Sequence, residues 1–215
     1  MKNRISGILR RVARIGRTIV SLDYRRAYNA FSYKYYAFWL KYHKLDSSAI
    51  KWSEESASLH VCSGGPELDY VIRLLKVPKT SVVVDLGSGK GIAALTLAKH
   101  FSSVIGIELN PELVQIAHSN LSKVGFTNVS IRCGDVRELG PEIDHVTYIY
   151  LFNPFPSEVM QPTLQRFKES LVRHPRPLTV IYKYPVCDVD FRNAGFQCTS
   201  QLFVDRPYPV SIYVA

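Results

Sequence analysis

The stretch that most constrains this chain runs from Ser81 to Asn110. Val82-Val83-Val84 is short, β-branched and apolar, which suits a central parallel strand covered by helices on both sides. It ends in Asp85, Gly87, Gly89 and Gly91, where the chain must turn sharply without side chains in the way. A run of helix formers follows from Ile92 to Phe101, and a second apolar strand, Val104 to Ile107, stops on Glu108. This is a βαβ unit with a glycine-rich first turn and an acid at the tip of its second strand. Such a unit holds a nucleotide-type cofactor at the carboxyl ends of its strands.

Glycine spacing narrows the cofactor. A dinucleotide fingerprint needs glycine at its first, third and sixth positions, and the sixth position here is Ile92. The pattern is instead Asp-x-Gly-x-Gly-x-Gly. An aspartate ahead of the first glycine repels a pyrophosphate but suits a ligand with a cationic amino or sulfonium group. Glu108 stands where a carboxylate takes both hydroxyls of a ribose.

Through Asp85-Leu86-Gly87-Ser88-Gly89-Lys90-Gly91, Glu108-Leu109-Asn110-Pro111, Gly134-Asp135 and Asn153-Pro154-Phe155, the chain resembles class I S-adenosylmethionine-dependent methyltransferases. The resemblance covers residues 60–215. It implies that Asp85, Gly87, Ser88, Gly89, Gly91, Glu108, Leu109, Asp135, Val136 and Asn153 hold S-adenosyl-L-methionine. Asp135 then reaches the exocyclic amine of adenine, and the Val136 amide reaches a ring nitrogen. An acid after a strand also serves as a plain cap. In amino-group methyltransferases, an Asn or Asp followed by two prolines and an aromatic receives the acceptor nitrogen. Asn153 and Phe155 fit that place as catalytic residues, although the second proline is absent. Asn153-Pro154 equally suits a simple turn into the helix that begins near Ser157.

The remaining pattern gives the architecture. A helix opens at Pro66, a first-turn residue by preference, and another opens at Asn110-Pro111 and ends at Gly125. Strands are expected at Val129–Cys133, Val146–Phe152 and Leu178–Tyr184, then a short helix at Phe191–Gly195. Gln197–Val204 and Val210–Val214 are separated by too few residues for a parallel crossover, so they form an antiparallel hairpin. The expected fold is α/β: a three-layer Rossmann-like sandwich around a mostly parallel seven-stranded sheet with a carboxy-terminal antiparallel hairpin. We expect two parts, a basic, aromatic-rich helical extension over 1–58 and the methyltransferase domain over 59–215.

Charge separates those parts. Residues 1–51 hold 12 of the 27 Lys/Arg but two of the 18 acids, so the whole net charge of +9 resides there. Ile5, Ile8, Leu9, Val12, Ile15, Ile19 and Val20 recur at helical spacing among Arg and Lys, giving a basic amphipathic helix. Three uses fit it: packing on the domain's flank, lying on an anionic membrane surface, or contacting nucleic acid. A targeting peptide has the same composition. Tyr24, Tyr28, Phe31, Tyr33, Tyr35, Tyr36, Phe38, Trp39 and Tyr42, interleaved with bases, suit packing over the cofactor cleft or stacking on single-stranded nucleic acid. Residues 1–44 are thus where a membrane surface or nucleic acid would engage.

Four dispersed cysteines without a Cys-x-x-Cys pair argue against a zinc site or a disulfide scaffold. No metal is expected, and none is needed for displacement at a sulfonium methyl. With no apolar run of about 18 residues, the expected location is cytoplasmic or peripheral to the membrane. His145 and His174 fall away from the strand tips, whereas Lys183 and Tyr184 end strand five beside the acceptor. The expected activity is methyl transfer, with the acceptor unresolved: a nitrogen on protein or nucleic acid, or a small molecule. The alternative is a non-catalytic cofactor-binding fold that acts through its basic amino terminus.

Overall fold

The computed structural model describes residues 31–48, 63–203 and 208–215. Two compact units divide the chain, residues 1–42 and 43–215. In the first, residues 31–42 are helical (α1), with Tyr36 stacked on Trp39 and Phe38 on Tyr42. The amphipathic stretch 1–20, Tyr24, Tyr28 and residues 49–58 lie outside the described residues. Residues 43–48 group with the second unit rather than with the extension, because Leu45 is buried there and Asp46 bonds to Asn120.

The second unit is a seven-stranded sheet in the order β3-β2-β1-β4-β5-β7-β6. The strands are β1 Val82–Leu86, β2 Ser103–Glu108, β3 Val129–Cys133, β4 Tyr148–Phe152, β5 Thr179–Lys183, β6 Gln197–Leu202 and β7 Val210–Val214. The first five pair in parallel, and β7 inserts antiparallel between β5 and β6. Helices cover both faces, as parallel strands require. Helices α2 (Pro66–Leu74), α3 (Ile92–Leu97) and α4 (Pro111–Ser122) bury Leu68, Val71, Ala93, Ala94, Leu97 and Ala117 against one face. Helices α5 (Ser157–Arg173) and α6 (Asp188–Asn193) bury Met160, Leu164, Phe167 and Phe191 against the other.

Helix α3 is shorter than the expected run to Phe101. The amides of Lys99 and His100 bond three residues back, to Thr96 and Leu97, which tightens the last turn. Phe101 then drops into the core, 3% exposed, and meets Tyr148 edge-on.

Two rows across the α2–α4 face position the site. Register aligns Ile131, Gly106, Asp85, Tyr150, Ile181 and Ile212 in one row. Two residues nearer the carboxyl edge lie Cys133, Glu108, Phe152, Lys183 and Val210. Because side chains alternate along a strand, both rows share a face. The inner row is apolar apart from Asp85, with Gly106 as its one vacant place. A Cβ there would meet Ile131 Cδ1 at 2.5 Å and Ser88 Oγ at 2.9 Å, so Gly106 is what lets the glycine loop settle on β2. Gly106→Val should therefore destabilise the protein by about 1–3 kcal/mol, the usual range for overpacking. Urea unfolding tests this, and an unchanged midpoint would show that the loop has room to shift.

Candidate functional site

The site forms where β1 and β2 end. After Leu86 the backbone must reverse direction above β2, and the amides of Gly87 and Ser88 both donate to the Ile107 carbonyl, at 2.9 and 3.1 Å. Gly87 is left-handed (φ 71°), and a Cβ on it would lie 2.5 Å from the Pro154 Cβ. Glycine is needed on both counts. This contact also brings the glycine loop against Asn153-Pro154 at the tip of β4. Gly91, left-handed as well, turns the chain into α3.

Glu108 ties the two tips together. One carboxylate oxygen accepts from the Gly89 amide at 2.8 Å and the other from the Asn110 amide at 3.0 Å. Each oxygen keeps lone-pair capacity for a hydroxyl donor. Asn110 caps α4 by accepting from the Glu112 amide at 2.7 Å. Leu109, beside Glu108, is 66% exposed, a bare apolar surface at the strand tip on which a flat ring can lie.

Asp85 is 2% exposed within its apolar row. Burial, reinforced by the negative charge of Glu108, pushes its carboxyl up to about 8. Its Oδ2, the Ser88 hydroxyl and the Asn110 side-chain nitrogen are buried without a partner among the described residues. An unsatisfied buried polar atom is costly, so three of them at one edge suit a polar ligand that would satisfy them. A cationic amino group would satisfy Asp85 and restore its ionised form. The residues present therefore fit the amino-acid end of S-adenosylmethionine, while Glu108 fits its ribose.

The other expected residues fall differently. The carboxylate of Asp135 is engaged by its own turn, accepting from the Arg137 amide at 2.8 Å and pairing with the Arg137 guanidinium at 2.5 Å. Those bonds hold it below the usual carboxylate range. Val136 buries its side chain in the core and starts a short 3₁₀ turn. Phe155 is 9% exposed and packs in the core with Leu151, Met160 and Cys187. Its ring thus anchors the turn from below, rather than standing open for an acceptor. Asn153 is half-buried and left-handed (φ 37°), a costly conformation for a non-glycine residue and one that clusters at functional sites.

Tyr184, at the next strand tip, is left-handed too (φ 54°). Its ring meets Tyr208 edge-on, as does the ring of Phe152. The Lys183 ammonium sits 4.8 Å from the Phe152 ring centre and 5.8 Å from that of Tyr208, and pairs with the buried carboxylate of Glu67 on α2. Sequence reasoning found Lys183 and Tyr184 but not Glu67, whose partner is 116 positions away. It also missed Lys90, buried inside the glycine loop, because a lone lysine between glycines reads as a solvated side chain. No cluster of His, Cys, Asp and Glu able to hold a metal occurs among the described residues. Cys133, Cys187 and Cys198 are free thiols, and Cys62 lies outside the described residues.

A family model described as a methyltransferase domain matches residues 83–177. Among curated proteins, the chain is 36% identical over 80 residues to the probable ribosomal RNA small subunit methyltransferase A of Methanosarcina barkeri. It is 32% identical over 69 residues to human EEF1A lysine methyltransferase 2, and 45% identical over 53 residues to protein-L-isoaspartate O-methyltransferase 2 of Marinobacter nauticus. These matches cover 37%, 32% and 25% of this chain and 27%, 29% and 24% of the relatives, about a quarter of their length. Among solved structures, a SAM-dependent methyltransferase from Aquifex aeolicus superposes with a TM-score of 0.57 at 16% identity, over 69% of this chain and 90% of that one. An RNA methyltransferase from Salinibacter ruber, in complex with S-adenosyl-L-homocysteine, gives 0.53 at 24% identity, over 72% and 93%. These two likenesses concern the fold. With residues 83–177 matching a methyltransferase domain across the glycine loop and both flanking strand tips, the chain carries the class I, Rossmann-like fold of S-adenosylmethionine-dependent methyltransferases.

Proposed function

We propose that this protein transfers a methyl group from S-adenosylmethionine to a nitrogen acceptor at the tips of β4 and β5. The observation that carries the cofactor half is the buried Asp85 carboxyl, without a partner for Oδ2, in a loop whose other wall is Glu108. Asp85 holds the amino group, Glu108 the ribose hydroxyls, and Leu109 offers its apolar surface to the adenine. Gly87, Ser88, Gly89 and Gly91 let the backbone approach, and Arg137 must yield Asp135 if that carboxylate is to meet the adenine amine. The cofactor supplies an electrophilic methyl carbon when bound. The chain's own task is then alignment and exclusion of water.

Asn153 serves the acceptor half. Its left-handed backbone and the Gly87–Pro154 contact fix it between the cofactor loop and β5. The side-chain carbonyl can accept a hydrogen bond from the N–H of the acceptor nitrogen and so aim its lone pair. Phe155 supports this turn from the core. Phe152, Tyr184 and Tyr208 form an aromatic wall beside it, with Lys183 held against the rings. The reported relatives include proteins named for ribosomal RNA, lysine and isoaspartate methylation, so they do not select one acceptor. All three are named as methyltransferases, which gives the non-catalytic alternative no support. No helix among the described residues is long and apolar enough to cross a membrane.

Radiolabelled S-adenosylmethionine incubated with the full chain and, separately, RNA or protein fractions should give transfer that Asn153→Ala lowers while S-adenosylhomocysteine affinity stays the same. Lost affinity with normal turnover at saturation would make Asn153 a cofactor-holding or scaffold residue. Glu108→Ala should weaken S-adenosylhomocysteine binding by about 1–3 kcal/mol, as for a lost charge-assisted hydrogen-bond pair; calorimetry showing unchanged affinity contradicts the ribose assignment. Asp85 adds a pH dependence. Folding keeps it protonated above its ordinary 3.8, so unliganded stability should fall as pH rises from 3.8 towards about 8 and level off beyond. Affinity for the cationic ligand should rise through the upper part of that window as Asp85 ionises. Asp85→Asn should flatten both trends, and a variant with the wild-type slopes would refute the assignment.

A further inference from the structure

Lys90 stands between Gly89 and Gly91, yet its side chain is 2% exposed. Its ammonium donates to Asp46 Oδ1 and to Ser48 Oγ, both at 2.7 Å. The Ser48 amide and hydroxyl donate to the same Asp46 oxygen, at 3.0 and 2.7 Å. A second link runs through Asn120 on α4, which is fully buried. Asn120 accepts from the Asp46 amide at 2.9 Å and donates to the carbonyls of Asp46 and Lys90 at 3.1 and 3.0 Å. Leu45 is buried alongside, and the Lys123 ammonium donates to the Lys44 carbonyl at 3.1 Å. Residues 43–48 are therefore fastened to the cofactor loop by side chains and backbone together, although they lie outside the matched domain.

We propose that residues 43–48 are a strap that sets the conformation of the cofactor loop, with Lys90 and Asp46 as positioning residues for S-adenosylmethionine. The inference rests on the cofactor reading above. Gly89 and Gly91 are both left-handed, at φ 53° and 75°, and glycines lose more freedom on ordering than other residues. A loop with three alternating glycines must be held if binding is not to bear that ordering cost. Glu108 holds it on the side of β2 through the Gly89 amide. The one non-glycine between the two glycines is held at its ammonium by the strap and at its carbonyl by Asn120 of α4, which also bonds the strap. Without Asp46 the Lys90 cation would be buried and uncompensated, which is strongly unfavourable. Burial alone would raise the Asp46 carboxyl, but Lys90 and Ser48 hold it at about 2, so the Asp46 carboxylate stays ionised at neutral pH. Coupling is reciprocal, so a ligand in the loop should in turn steady the strap.

The test titrates the full chain with S-adenosylhomocysteine by calorimetry, as wild type, Lys90→Met and Asp46→Asn, with thermal unfolding of each. Lys90→Met leaves Asp46 free to hydrate, since that side chain is already 42% exposed, so its melting temperature should stay close to wild type. We expect about tenfold weaker binding in both variants. Hydrogen exchange at the Asp46 amide should be slowed by the ligand in wild type and not in Lys90→Met. Should Lys90→Met fail to fold, Asp46→Asn decides the matter alone, because it keeps the side-chain shape and a carbonyl for Lys90. Wild-type affinity in a folded variant overturns the strap and leaves the cofactor reading standing, even if the melting temperature has dropped. Failure of wild type to bind S-adenosylhomocysteine overturns the cofactor reading and the strap with it.

Discussion

The carboxylate of Glu108 receives the amides of Gly89 and Asn110, and this pair of charge-assisted bonds fixes where β1, β2 and their following helices meet. The loop after β1 contains three left-handed glycines and has little conformational preference of its own. The acid of the neighbouring strand, the proline after β4 and the lysine within the loop each remove part of its freedom. The result is a rigid rim at the carboxyl edge of the sheet. A rim of this kind can present its two acids in fixed positions to a ligand, and positioning is the main contribution a protein makes to a displacement whose electrophile arrives already activated.

Unfavourable features gather at this same edge. Asp85 is buried in an apolar row, Ser88 and Asn110 carry unpaired buried polar atoms, and Asn153 and Tyr184 adopt left-handed backbones at adjacent strand tips. Away from this edge, the left-handed Lys44 and Lys76 lie in turns, and many polar groups among the described residues are paired. Arg176, for example, donates to the carbonyls of Ile143, Val146 and His174 and so closes the loops around β4 and β5. Unpaired buried atoms and strained backbone gathered at one edge of the sheet mark a place shaped for a ligand rather than for stability.

Much of this was legible in the sequence, for local reasons. The glycine spacing, the acid after β2, the Asn-Pro start of α4 and the hairpin of β6 and β7 depend on neighbours within a few positions, and β3 and β7 span the expected residues. Long-range pairings were hidden. Lys90 meets Asp46 from 44 positions away, and Lys183 meets Glu67 from 116; nothing in either neighbourhood distinguishes a paired lysine from a solvated one. Residues 45–48 have an irregular backbone with no motif of their own, and their role lies in what Asp46 touches. Phe155 carries the same sequence signal whether its ring faces an acceptor or the core, and only packing places it inside. The protonation of Asp85 is equally invisible, because it follows from the apolar residues that register sets on either side of it.

The central claim is that the rim holds S-adenosylmethionine and not a dinucleotide. Calorimetric titration of the full chain with S-adenosylhomocysteine and, separately, with NAD tests it directly. The account predicts saturable binding of the first and none of the second, because a cationic amine ionises Asp85 and pairs with it, whereas a pyrophosphate brings no positive charge to the buried carboxyl. Binding of NAD, or of neither compound, would contradict it.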